Sequence, residues 1–251
     1  MDFEPLNDDH SIDDVMFACH LSRRLRATDF RQAANAFEKV KPELPATNLN
    51  SESAVFAYLR PDGSATWAVS LHEGVIAVNC TRYSRWQKVW STAQNYLTLG
   101  LQAIFEPEAV KITALALTVS DKFRGQQNSN PSVAGLLRVN NYVMPAAFSM
   151  DGLWHSHVGW FDSNYQSGSV LNQLNVDRVT EDAGDMGTPV VNIRHVQQLR
   201  FDQAPSAASL LQENQVSLTN AMEYMHANNK KILSDLLTSE MQARITLEPK
   251  L

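Results

Sequence analysis

The stretch 53–80 constrains this chain more than any other, because it alternates like a strand and turns twice. Residues 53–60 read Ser-Ala-Val-Phe-Ala-Tyr-Leu-Arg, with Val55, Ala57 and Leu59 on one parity and Phe56 and Tyr58 on the other. Side chains of a strand point alternately to its two faces, so this pattern belongs to an extended segment with two distinct sides. Pro61-Asp62-Gly63 follows and supplies a preset φ, a side chain able to bond its own backbone, and a residue free to take φ > 0. Residues 65–71 alternate again, His72-Glu73-Gly74 turns the chain, and 75–80 returns. Short runs punctuated by glycine-containing turns predict an antiparallel meander of three strands.

A helix is expected next. Ser84-Arg85-Trp86-Gln87 has the form of a capping box, and Trp86, Val89, Trp90, Ala93, Tyr96, Leu97, Leu101 and Ile104 recur at helical spacing, with Pro107 marking the end. Upstream, Val15 and its neighbours to Leu21 suit a strand, and Thr28 suits the cap of a helix carrying Phe30, Ala33, Ala34, Phe37 and Val40 before Pro42. Downstream the order recurs: a strand over 110–123, then a short helix opened by Asn130-Pro131 and carrying Val133, Leu136, Leu137 and Val139. Strands over 152–161, 170–180 and 190–201 come next. A helix sharing Leu218, Met222, Met225, Ile232 and Leu236 on one face follows, and Thr238 or Ser239 caps a last turn.

Each half therefore reads strand, helix, three strands, helix. The expected fold is α+β: a curved antiparallel sheet with long helices packed on one face. Residues 1–251 are expected to form a single unit with pseudo-repeated halves of about 12–106 and 109–237, ending in a short helix.

Composition narrows the function classes. Apolar residues at 44% and charged residues at 19% suit a chain that buries a core. A net charge of −6 argues against a strongly basic nucleic-acid binder, though not against a local basic strip. No apolar run approaches the ~20 residues of a membrane helix. The acidic start, with Asp2, Glu4, Asp8, Asp9, Asp13 and Asp14, is unlike a signal peptide. Cys19 and Cys80 make neither a disulfide framework nor a zinc cage, so a reducing cytoplasm is expected.

The run Trp67-Ala-Val-Ser-Leu, Val75-Ile-Ala-Val-Asn79, Tyr83 and Trp86, with the closing helix and Leu237-Thr238-Ser239-Glu240-Met241, resembles a sporadically distributed family of uncharacterised bacterial proteins of about this length. The resemblance extends loosely over most of the chain. It implies the same order of elements, no established chemistry, and an association with accessory proteins of mobile or defence-related regions.

Several residue groups are candidates for chemistry. In Trp154-His155-Ser156-His157-Val158-Gly159-Trp160 the two histidines share one face of a strand, roughly 7 Å apart. Such a pair suits a zinc, iron or manganese ion if a third ligand joins it, and Asp151, Asp162, Glu181 and His195 are the available donors. The alternative is that Trp154, Val158 and Trp160 face the core and the histidines face water. Asp177, Glu181, Asp182 and Asp185 lack calcium-loop spacing and suit a solvated turn. Arg82, Arg85 and Lys88, interleaved with Tyr83, Trp86 and Trp90, are the candidate nucleic-acid contacts, although both tryptophans also fit the helix core. Arg23, Arg24 and Arg26 form another basic group.

No nucleophile elbow, phosphate loop or dinucleotide fingerprint is present, and Cys19 and His20 are strand neighbours that point apart. Catalysis is therefore the less favoured reading, and no cofactor is implied. Gln126-Gln127-Asn128, Asn140-Asn141, Gln197-Gln198 and Asn228-Asn229 suggest a wet, adaptable surface, and Tyr224, Met225 and His226 a contact patch on the last long helix. The leading expectation is a non-catalytic interaction protein (adaptor, inhibitor or assembly subunit) that binds a protein partner or itself through a sheet edge or that helix. A nucleic-acid binder on a curved sheet and a metal enzyme on His155 and His157 are the alternatives.

Overall fold

A computed structural model describes residues 2–104, 106, 109–126, 129–182, 187–212 and 217–247. The fold is α+β, with ten strands in one antiparallel sheet. In chain order the elements are β1 (Phe3–Pro5), β2 (Ile12–Leu21), α1 (Ala27–Val40), β3 (Ala46–Leu49), β4 (Ser53–Leu59), β5 (Ala65–His72), β6 (Val75–Cys80), α2 (Trp86–Ala103) and β7 (Ile112–Gly125). Then come β8 (Trp154–Asp162), β9 (Gly168–Asp182), β10 (Gly187–Phe201), α3 (Ala207–Leu210), α4 (Leu218–Leu236) and α5 (Ser239–Arg244). Across the sheet the strands run β3-β4-β5-β6-β2-β7-β10-β9-β8, and β1 pairs with the far end of β7.

The meander lies where expected, and its two glycines serve different ends. Gly63 takes φ 80, the left-handed conformation its turn requires. At the second turn Glu73 takes the positive φ, of 50. A Cβ on Gly74 would lie 3.0 Å from the Arg23 carbonyl oxygen, so this glycine is there for close approach. The strands β1 and β3 were not anticipated.

Three local expectations change. Helix α2 starts after Arg85 and has no side-chain cap, so the Ser84–Gln87 box does not form. Helix α1 starts before Thr28, and the Asp29 carboxylate accepts from Arg26 N at 2.7 Å. The short helix expected after Asn130-Pro131 is replaced by two 3₁₀ turns, Val133–Gly135 and Pro145–Phe148. Ser132 caps the first of these, while the Asn130 amide oxygen accepts from the Arg178 guanidinium.

Strand parity sorts the buried side chains. Phe17, Val78, Leu115, Leu117 and Val119 pack in one cluster with Trp86, Val89, Trp90 and Leu97 of α2 and Met222 and Met225 of α4. Phe123, Leu174, Val176, Val191 and Ile193 pack in a second with Ile232, Leu233 and Leu236 of α4 and Met241 of α5. Residues of the other parity, such as Ala18, Ala77, Ala116, Val196 and Leu171, belong to neither cluster.

Candidate functional site: the uncovered sheet face

Because the register is continuous, the alternate parity forms rows that cross the sheet. One row runs Val55, Ser70, Ala77, Ala18, Ala116, Gln198, Leu171, Phe161. The next runs Ala57, Ala68, Asn79, Met16, Thr118, Val196, Gln173, Gly159. Alanine is a poor strand former, yet it recurs along both rows. Among the described residues no helix belongs to this face, yet Ala18 is only 3% exposed and Thr118 only 2%. The Thr118 hydroxyl has no hydrogen-bond partner. Buried polar atoms nearly always have one, and among the described residues Thr118 shares this lack with Trp90 Nε1 and Trp154 Nε1.

Beyond these rows lies a polar cleft lined by Asp14, Ser120, Lys122, His155, Asn175, Asp177, Asn192 and Arg194. A register shift between Ile12 and Asp14 leaves Asp13 as the extra residue of β2 at its rim. Burial raises the Asp14 carboxyl above the usual range, and its Oδ1 lacks a partner. Asn192 Nδ2 donates to Asp177 Oδ2 at 3.0 Å, and Lys122 Nζ bridges Asp13 at 3.2 Å and Glu181 at 2.9 Å. Both charge signs are thus present, with Lys122 paired to two carboxylates.

His155 and His157 do share this face, with ring centroids 6.5 Å apart. No third ligand reaches them. Glu181 is held by Lys122 and Arg124, and Asp162 accepts from Tyr224 OH at 2.9 Å on the opposite parity. His195 is buried on the helix side. Among the described residues no three His, Cys, Asp or Glu side chains converge as a metal site. Asp185 lies outside the described residues, as does the side chain of Asp182.

The basic cluster is divided. Arg82 and Lys88 line one hollow beside Trp67, whereas Arg85 lines another and pairs with Asp9 at 3.4 Å. Trp86 and Trp90 are buried and stack on one another, so neither offers a free ring to a base. The Arg85 cleft, of about 260 Å³, also holds His10, Tyr83, Asp121, Lys230 and His226. There His226 lies flat on Trp86, centroids 3.8 Å apart, and burial lowers its imidazole to about 4. Burial likewise raises Asp121 to about 7, although Ser11 Oγ donates to it at 2.7 Å.

The patch expected on the last long helix turns inward. Met225 is fully buried and Tyr224 is tied to Asp162, which removes both as free contact residues. Gln197, Asn228 and Asn229, expected at a wet surface, instead join His195 and Asn172 in a seam beneath α4. His195 Nδ1 and Nε2 lie 3.0 Å from the amides of Asn229 and Asn172, and Gln197 Nε2 donates to Met225 O at 2.7 Å. Burial lowers His195 to about 4, so the ring is neutral and has one donor. Asn172 already donates to Val170 O, which leaves Asn172 Oδ1 to accept from Nε2–H and the Asn229 NH₂ to face Nδ1. Nothing in the local sequence signals the seam, because its members come from three separate elements.

No protein-family model matches the chain, and neither curated proteins nor solved structures include one similar to it. No helix among the described residues is long and apolar enough to cross a membrane.

Proposed function

We propose that this chain is a non-catalytic interaction protein, an adaptor, inhibitor or assembly subunit, that receives a protein partner on the uncovered face of its sheet. The observation that carries the reading is the pair of alanine-bearing rows on the sheet face opposite the two helix-backed clusters. The alanines and Gly159 of these rows let a second layer approach closely. The cleft beside the rows pairs Lys122 with Asp13 and Glu181, which suits a polar protein surface better than a polyanion. The reading takes the two halves, about 12–106 and 109–237, to be knitted into one curved layer.

Val196 is half-buried on this face, and an arginine there reaches solvent without entering the core. Affinity capture with wild-type chain and with Val196→Arg tests the idea. The expected result is a partner held by wild type and lost from a variant of unchanged melting temperature. Equal capture by both, or none by either, overturns it.

A further inference from the structure

The two ends of the sheet are finished differently. At one end β3 has four residues and a register shift against β4, two devices that discourage further pairing. At the other, β8 runs nine residues, Trp-His-Ser-His-Val-Gly-Trp-Phe-Asp, in unbroken register with β9. It contains no proline or lysine, and its one carboxylate, Asp162, stands at the end. Among the described residues no backbone–backbone hydrogen bond joins β8 to anything but β9, and on the helix side Ser156 Oγ accepts from Met144 N at 3.2 Å and donates to Tyr142 O at 3.3 Å. Leu153 and Phe161 beside this edge are 66% and 62% exposed. A strand so long and unprotected is a template for another strand.

We propose that two copies of this chain pair through β8, antiparallel about a two-fold axis at Val158, into one continuous sheet. A second copy is the occupant because the strand is complementary to itself in this register. Identical edges related by a two-fold perpendicular to the sheet pair antiparallel, residue i facing residue 316 − i, with both uncovered faces on one side. Centring on Val158 engages all nine residues. On the uncovered face it sets the His157 imidazole beside Gly159 of the second copy, where no side chain competes, and Phe161 over His155. Asp162 meets Trp154, so no like charges are opposed. The row ending at Phe161 then continues into the other copy.

The dimer requires the edge of β8, whereas partner capture requires the face around Val196, so either can fail without the other. Light scattering across a range of concentrations should give twice the 28.0 kDa of one chain at the upper end. His155→Glu with Phe161→Glu opposes carboxylates at both cross-strand pairs and should give monomers. His155→Lys with Phe161→Glu opposes unlike charges and should restore the dimer. All these side chains are exposed, and an unchanged far-ultraviolet circular-dichroism spectrum confirms the fold. A wild type that stays monomeric, a dimer that survives the double glutamate, or a Lys–Glu pair that remains monomeric overturns the proposal. Val196→Arg should leave the dimer intact even where it abolishes partner capture.

Discussion

Helices α2 and α4 lie on the same side of the sheet and touch each other, yet they rest on different chemistry. Under α2 the contact is dry: Trp86, Val89, Trp90, Ala93 and Leu97 meet Phe17, Ile76 and Val78, and Gly100 lets the helix close on Ile76. Under α4 the apolar ends, Met222 and Met225 on one side and Ile232 to Leu236 on the other, are separated by the seam of Asn172, His195, Gln197, Asn228 and Asn229. Dry contact is non-directional, so it supplies magnitude but tolerates small shifts. A satisfied polar seam adds little net energy but admits one placement, since a slip along α4 strands several buried groups at once.

Removing a large ring from the dry contact should have the greatest effect. Trp90→Ala is expected to lower unfolding free energy by about 3–5 kcal/mol in urea titrations, and a loss below about 1.5 kcal/mol would mean that α2 does not carry the core. Cutting the seam comes next. Asn172→Leu leaves His195 Nε2 without its partner and should cost about 1–3 kcal/mol for that buried group. Replacing Asn172, His195 and Asn229 together with leucine should recover much of that loss while speeding amide exchange along α4. Unchanged exchange would show that the seam does not position the helix.

Asp121 and His195 separate the two kinds of burial by pH. Asp121 holds its proton in the folded chain up to about 7, against 3.8 when free. The folded state therefore binds the extra proton between those values, and the carboxyl's contribution to stability falls as pH rises through them. His195 behaves oppositely: with about 4 in place of 6.5, its cost appears as pH falls below 6.5. Asp121→Asn should raise stability at pH 8 by about 1–3 kcal/mol, with the difference gone near pH 4. A melting profile displaced equally at all pH values would contradict this. The smallest effect is expected at Thr118→Val, within about 1 kcal/mol and in the stabilising direction for the isolated chain, because it removes an unpartnered hydroxyl.

Local periodicity reached as far as local chemistry decides the structure. The meander and the apolar face of α2 were legible because their own side chains repeat at two and at three-to-four. Strand β3 was not, since four exposed residues carry no alternation to read. The helix expected after Asn130 fails because Asn130 is engaged by Arg178 from β9, a partner 48 residues away. Within the candidate site, strand parity placed His155 and His157 on one face, but their lack of a third ligand is decided by distant strands. The rows were hidden for a similar reason: each takes one residue from each of eight strands, and only the register aligns them. The Asn and Gln residues of the seam carry no local sign of burial, because it is α4 packing over β9 and β10 that takes them from water.

The flat stack of His226 on Trp86 makes this chain its own optical gauge. Indole emission responds to its surroundings, so the part of the emission that Trp86→Phe removes from this five-tryptophan chain would change when α4 peels from α2. A fluorescence trace that departs early from the circular-dichroism curve during denaturation would mark the parting of the two helices as a separate event.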